Sequence, residues 1–369
     1  MYNFLRTFHA VAVICELNPP HGGHLALFRK IRAITDAPIV AVMSGNFVQR
    51  GEPAIFPKRD RALAALRLGA ELVIELPVGF ALSSAERFAL GGVALADAIG
   101  ADALAFGCEC GELEPLARIA DVLDSRDAET LTREYIAAGE SFAAARSHAV
   151  ETLLGDGAEP IRGTNNMLAV EYLRAIRRCG GGITPIALPR EPDVSSSAIR
   201  ERIKRGGETD IAVPPVFPEN LDVAVLSRLR NMDIGELRLV PNSGDGATER
   251  LMRAAATAGS LTELENAVKT KRYTMSRVRR LILGAAIGLR QVETPPYVRA
   301  LAISGRGAAL LRDSTLPVVT KPTAARKLGG VVADSIETES RATDLYALGY
   351  ADTTMRRGGS EWRYTPIVE

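Results

Sequence analysis

Four short, nearly uninterrupted apolar runs limit what this chain can fold into: AVAVIC (10–15), IVAVM (39–43), ELVIELP (71–77) and ALAFGCE (103–109). Each has the length of a strand, and none shows the strict apolar–polar alternation of a strand with one wet face. Between them lie helical patterns: HLALFRKIRAI (24–34), KRDRALAALRLGA (58–70), ended by Gly69, and SAERFALGGVALADAIG (84–100). Strands and helices that alternate in this way predict an α/β fold, with a parallel sheet covered on both faces.

The segment 112–180 reads as mostly helical. Leu168, Tyr172, Ala175 and Ile176 fall at i, i+4, i+7 and i+8 and form one apolar face. GGGITPIALP (180–189) predicts a return to the sheet, and SSSAIRERIKRGG (195–207) a capped helix that stops at glycine. The Pro- and Gly-rich stretch that follows suggests a boundary near residue 206, dividing 1–205 from a mainly helical 206–369.

Composition narrows the function classes. Among 369 residues the formal net charge is +1, so any nucleic-acid surface must be local. Aromatics at 5% argue against a base-stacking sheet. Cys15, Cys108, Cys110 and Cys179 contain no C-x-x-C pair, which argues against a zinc site or a disulfide framework. There is no signal-peptide pattern and no apolar run near 18 residues. A reducing cytoplasm is the expected setting.

The chain has four histidines, and two of them stand together in ELNPPHGGHLAL (16–27), directly after the first strand. His21 and His24 flank Gly22 and Gly23 at a helix start, at the carboxyl end of a strand, where open α/β sheets bind ligands. A helix N-terminus offers free N–H groups and partial positive charge, and the glycines let backbone approach a ligand. Two imidazoles at i and i+3 can stabilise charge on one phosphate chain. H-E-x-x-H does not occur and no third ligand is evident, so no metal site is expected.

H-x-G-H after a strand resembles the first signature of the nucleotidylyltransferase superfamily, and SSSAIR (195–200) looks like its second. With ELNPPHGGH, VMSGNFVQRGEPA (42–54), LGAELVIELP (68–77), SAERFALGGVALAD (84–97), FGCE (106–109), NNMLAVEYL (165–173) and KTKRYTMSRVRRLI (269–282), the chain resembles the tRNA(Met) cytidine acetate ligase family from about residue 11 to 290. The resemblance implies a Rossmann-like catalytic domain and a C-terminal region that binds tRNA. It implies activation of acetate by ATP, with Mg2+ as counter-ion, to acetyl-AMP and pyrophosphate. The acetyl group then passes to N4 of the wobble cytidine of elongator tRNA(Met).

The same resemblance implies His21 and His24 as catalytic donors. It lays ATP along Ile14, Cys15, Glu16, Leu17, Asn18, Pro19, Pro20, His21, Gly22, Gly23, His24, Leu25, Ala26 and Leu27. Gly107, Asn165, Arg190, Ser195 and Arg200 complete the expected nucleotide site. Lys58 and Arg61 read either as pyrophosphate or RNA contacts or as a solvated helix face. Two departures stand out: Pro20 replaces a usual aromatic before the first histidine, and only 191–194 separate Arg190 from SSSAIR. Family members usually carry a longer segment there, so a reduced lid over the triphosphate is implied.

Residues 269–290 hold seven basic side chains and no acidic one. Val278, Leu281, Ile282 and Ala285 form an apolar stripe that leaves Lys271, Arg272, Arg277 and Arg280 to another face, as candidate RNA contacts. Tyr273 reads as a core contact rather than a base-stacking one. Two other readings stay open on the sequence: a nucleotidylyltransferase for a small metabolite, and an RNA-binding module with an inactive nucleotide site.

Overall fold

The computed structural model describes residues 6–190, 195–244 and 246–369. The four apolar runs become β1 (Val11–Cys15), β2 (Ile39–Ser44), β5 (Leu72–Leu76) and β6 (Ala103–Cys108), with a small hairpin, β3 (Phe47–Val48) and β4 (Glu52–Pro53), between the second and third. The return to the sheet expected near 184 is β7 (Thr184–Pro189). β8 (Val298–Ile303), β9 (Val318–Val319) and β10 (Ile367–Val368) follow late in the chain.

The sheet runs β10-β8-β5-β2-β1-β6-β7, with β9 beside β8. From β5 to β7 all pairings are parallel; β8 enters antiparallel to β5. Side chains alternate across it, as a two-residue period demands. Ala12, Ile14, Val40 and Val42 face one core, and Val11, Val13, Ala41 and Met43 face the other.

The helices of the first half are α1 (Gly22–Ile34), α2 (Lys58–Leu68), α3 (Val78–Ala81), α4 (Ala85–Ala98), α5 (Leu113–Leu123), α6 (Arg126–Ala137), α7 (Phe142–Leu154), α8 (Thr164–Arg178) and α9 (Ser196–Lys204). α4 and α8 cover one face of the sheet, and α1 and α2 the other. A second group comprises α10 (Asp222–Arg230), α11 (Ile234–Arg238), α12 (Ala247–Thr257), α13 (Leu261–Val268) and α14 (Met275–Ile287). With part of α17 (Gly330–Ala347) it buries a separate apolar core that also takes in Phe47, Val78 and Leu82. Two short helices, α15 (Gly307–Arg312) and α16 (Pro322–Ala325), lie between β8 and α17. β8 and β10 lie on the C-terminal side of residue 206 yet join the same sheet as β1 to β7.

A buried charge cluster ties this late segment to the sheet. Lys58 on α2 meets Glu75 at 2.7 Å and Glu361 at 2.8 Å, and Arg299 on β8 meets Glu361 at 2.6 Å and Glu75 at 3.3 Å. The four side chains are 3% exposed or less, so removing one member would strand its partners away from water. Lys58 is therefore neither a solvated side chain nor a ligand contact.

A third carboxylate, Glu339 on α17, accepts from the Val78 N–H at 2.6 Å. Burial first, and then the neighbouring charge of Glu75, push its carboxyl from 4.5 up to about 8, against the pull of Lys58. At neutral pH it keeps its proton, so two cations meet two anions.

The unfolded chain gives up the Glu339 proton near pH 4.5 and the folded chain near pH 8. Folding stability from this group is therefore full below pH 4.5 and is lost as pH rises toward 8. Glu339→Gln keeps the acceptor for Val78 and cannot ionise. Its stability relative to the native chain, measured by denaturant unfolding, is expected to improve from pH 5 to pH 8; an unchanged difference would exclude the assignment.

Candidate active site

Sheet winding reverses between β1 and β6, the point where open α/β sheets place ligands. Two residue pairs join these strands, Val11 with Ala103 and Ala12 with Leu104. Beyond them a cleft of about 840 Å³ is lined by Ile14, Cys15, Phe106 and Gly107 at the floor.

His21 is the N-cap of α1, and its Nδ1 accepts from the Gly23 N–H at 3.1 Å. His24 Nδ1 accepts from the His21 N–H at 3.2 Å. With both Nδ1 atoms accepting, each neutral ring carries its proton on Nε2. His21 Nε2 then donates to Ser196 Oγ at 3.0 Å, joining the two sequence signatures directly. The rings lie 4.1 Å apart, so both can address one ligand group.

The turn between β1 and α1 is held by its neighbours. Leu17 takes a left-handed backbone, φ 46°, which for a non-glycine residue costs on the order of 1–3 kcal/mol. Its buried side chain and the hydrogen bonds around it offset that cost. Asn18 Oδ1 accepts from Ile55 N–H at 2.8 Å, and Arg61 Nη1 donates to the Glu16 carbonyl at 2.5 Å. Arg61 is wholly buried, so it touches neither phosphate nor solvent. Burial pushes the Glu16 carboxyl up; the Gln49 N–H, which donates to it at 2.8 Å, and Arg61 oppose this.

On the opposite wall, Gly107, one residue before the end of β6, lies beside Arg190; a Cβ there would stand 3.1 Å from Arg190 Cγ. Asn165 donates to Glu109 Oε1 through its side chain at 2.6 Å and its backbone at 3.0 Å. Glu109 Oε2 accepts from Asn166 N–H at 2.7 Å, so Glu109 caps α8. Burial would raise the Glu109 carboxyl, but the Asn165 and Asn166 donors outweigh it and hold it below its ordinary range. Ser195 caps α9, accepting from Ala198 N–H at 3.2 Å, while Arg200 reaches back to the Asn18 carbonyl at 2.9 Å and Ser197 Oγ at 3.1 Å.

The basic segment forms part of the same cleft. Thr274 caps α14, and Thr274, Ser276 and Arg280 line the cleft wall. The expected stripe of Val278, Leu281, Ile282 and Ala285 is buried. Arg277 packs over the buried Tyr273 ring at 4.8 Å, and Lys271 and Arg272 are exposed just before the helix. Arg280 faces inward rather than outward: Nη1 donates to the Gln49 carbonyl at 3.2 Å, and its buried Nε has no hydrogen-bond partner among the described residues. Burial, with Arg277 adding, pushes its guanidinium down to about 10.

With this geometry in view, comparison with known proteins is specific. The family described as HIGH Nucleotidyl Transferase matches residues 8–361. A tRNA(Met) cytidine acetate ligase of Acetivibrio thermocellus is 33% identical over 97% of this chain and 99% of its own. One of Syntrophotalea carbinolica is 36% identical over 84% of each. The chain belongs to the tRNA(Met) cytidine acetate ligase family. A crystal structure of Thermotoga maritima TmcAL bound with alpha-thio ATP superposes with a TM-score of 0.89, at 29% identity, over 97% of this chain and 99% of that one.

In this member of the cytidine acetate ligase family, the first loop contributes Ile14, Cys15, Glu16, Leu17, Asn18, His21, Gly23, His24, Ala26 and Leu27 to the cleft. Pro19, Pro20, Gly22 and Leu25 are not among its lining residues. Gly107, Asn165, Arg190, Ser195 and Arg200 all line it. The shortened 191–194 segment lies outside the described residues. Sequence reasoning missed Glu109, Lys30 and Gln49. Lys30 lines the cleft from α1 and donates to the Pro189 carbonyl at 2.7 Å. Gln49 sits in the β3–β4 turn, which the polar QRG between apolar residues signals.

That turn presses against α14. Gly51 has φ 79°, and a Cβ there would lie 2.6 Å from both Arg279 Cβ and Arg280 N. Gly51→Ala is expected to cost on the order of 1–3 kcal/mol and to lower the melting temperature, because strain and overlap add. An unshifted melting temperature would contradict this packing.

Proposed function

We propose that the chain ligates acetate to the wobble cytidine of elongator tRNA(Met), using ATP. The observation that carries this reading is the hydrogen bond between His21 and Ser196, which joins two helix N-termini and two imidazoles over the switch point of the sheet. ATP lies along the first loop, with its α-phosphate at His21 and His24 and its β- and γ-phosphates toward Ser195–Ser197 and Arg200. Mg2+ would come with the nucleotide, as its counter-ion.

An acetate oxygen attacks the α-phosphorus in line and the bond to pyrophosphate breaks, giving acetyl-AMP. The imidazole Nε2–H groups and the helix N-termini stabilise charge on the phosphate oxygens, where fixed donors act most strongly. The N4 amine of cytidine then attacks the acetyl carbonyl carbon. The C–O bond to AMP breaks and the amine proton passes to solvent. Lys271, Arg272 and Arg277 hold the RNA backbone at the mouth of the cleft. The enzyme works in the cytoplasm, with its tRNA.

The domain reading follows function. Residues 1–205 supply the nucleotide site, and 206–369 supply the tRNA surface together with three strands of the shared sheet.

His21→Ala and His24→Ala are each expected to lower acetate-dependent exchange of labelled pyrophosphate into ATP by about a hundredfold to a thousandfold in a protein that still folds, with a small drop in melting temperature from the lost cap of α1. Exchange at the native rate in both variants would sink the reading.

A further inference from the structure

Arg280 is set apart from the other cations of its segment. It lines the cleft that His21 and His24 line, whereas Lys271 and Arg272 stand exposed before the helix. Its guanidinium is fixed at one corner, where Nη1 donates to the Gln49 carbonyl at 3.2 Å. The same residue's N–H donates to Glu16 at the end of β1. The guanidinium is thereby held one peptide away from the nucleotide loop. Its Nε donor is buried and has no hydrogen-bond partner among the described residues.

A guanidinium held through Nη1 keeps its Nε–Nη2 edge as a two-donor fork. Such a fork needs two adjacent acceptors in one plane. Cytosine has them in N3 and O2, on the edge that also carries the reacting N4 amine. Uracil has a donor at N3, which would face the Nε–H. A base that undergoes chemistry must leave its stack and enter the cleft, so its edge comes within reach of this wall.

We propose that Arg280 reads the target base, donating from Nε and Nη2 to N3 and O2 of the cytosine and so selecting cytidine over uridine. The assignment rests on the acetate ligase reading above. In it the outer cations hold the RNA backbone without regard to sequence, and Arg280 supplies the choice of base.

The test uses the full-length protein and two tRNA(Met) transcripts that differ only in cytidine or uridine at the wobble position. Equilibrium binding is measured at one salt concentration. The native protein is expected to favour the cytidine transcript by about tenfold to a hundredfold, the scale of one good bidentate contact. Arg280→Lys and Arg280→Gln should both bring the ratio within about twofold. Lys271→Ala should weaken both transcripts alike and leave the ratio intact. Melting temperatures check that each variant is folded, and the two Arg280 variants differ in whether a positive charge remains near Gln49.

Three outcomes overturn the assignment: a native protein with no preference, a ratio that survives in either folded Arg280 variant, or equal weakening of both transcripts. A rise in KM for ATP during pyrophosphate exchange, with the ratio unchanged, would give Arg280 to the phosphates instead. Acetylation of the cytidine transcript by the native protein, measured alongside, separates the two levels. Its absence sinks the ligase reading, whereas normal acetylation with unchanged selectivity in the variants sinks the role of Arg280 alone.

Discussion

The guanidinium of Arg61 holds the ends of two strands and the nucleotide loop together. It is wholly buried and donates to carbonyls of four residues: Phe56 at 2.9 Å, Glu16 at 2.5 Å, Ser44 at 3.1 Å, and Gly45. The carbonyls of Glu16, Ser44 and Gly45 stand where β1 and β2 end, a place where backbone groups lose their sheet partners. One rigid fork satisfies them together, which a lysine could not do with a single nitrogen. Because the Glu16 carbonyl is fixed, the left-handed Leu17 and the turn into α1 are fixed too. The position of the His21 ring follows from that turn.

A second chain of dependence runs through Gln49. Its N–H serves Glu16 and its carbonyl serves Arg280, so one residue couples the nucleotide loop to the basic helix. Arg279, beside it, pairs with Glu52 on the hairpin and with Glu265 on α13 at 2.9 Å. The hairpin is short, but it joins the two halves of the cleft.

Much of this was legible in the sequence, for a physical reason. Parallel strands buried on both faces leave near-continuous apolar runs, so β1, β2, β5 and β6 were readable, as were the signatures after β1 and before α9. β8 leaves no such signal: it carries Arg299 as its second residue and pairs with β5, over two hundred residues earlier in the chain. β10 is too short to leave a pattern. Lys58 and Arg61 read as a solvated face or as ligand contacts because a helix start rich in Lys and Arg usually is one; their burial depends on partners remote in sequence. The inward turn of Arg280 likewise depends on a partner remote in sequence. Its segment is basic throughout, and only the approach of the Gln49 turn shows which cation points inward.

The cluster of Lys58, Glu75, Arg299 and Glu361 also bears on how the chain is made. Lys58 and Glu361 are 303 positions apart. During synthesis the lysine leaves the ribosome long before its second carboxylate exists. A chain broken off after β8 would hold two cations against Glu75 alone, with Arg299 deprived of its shortest ion pair. The two cations are thus matched in charge only once the segment that carries Glu361 has been made.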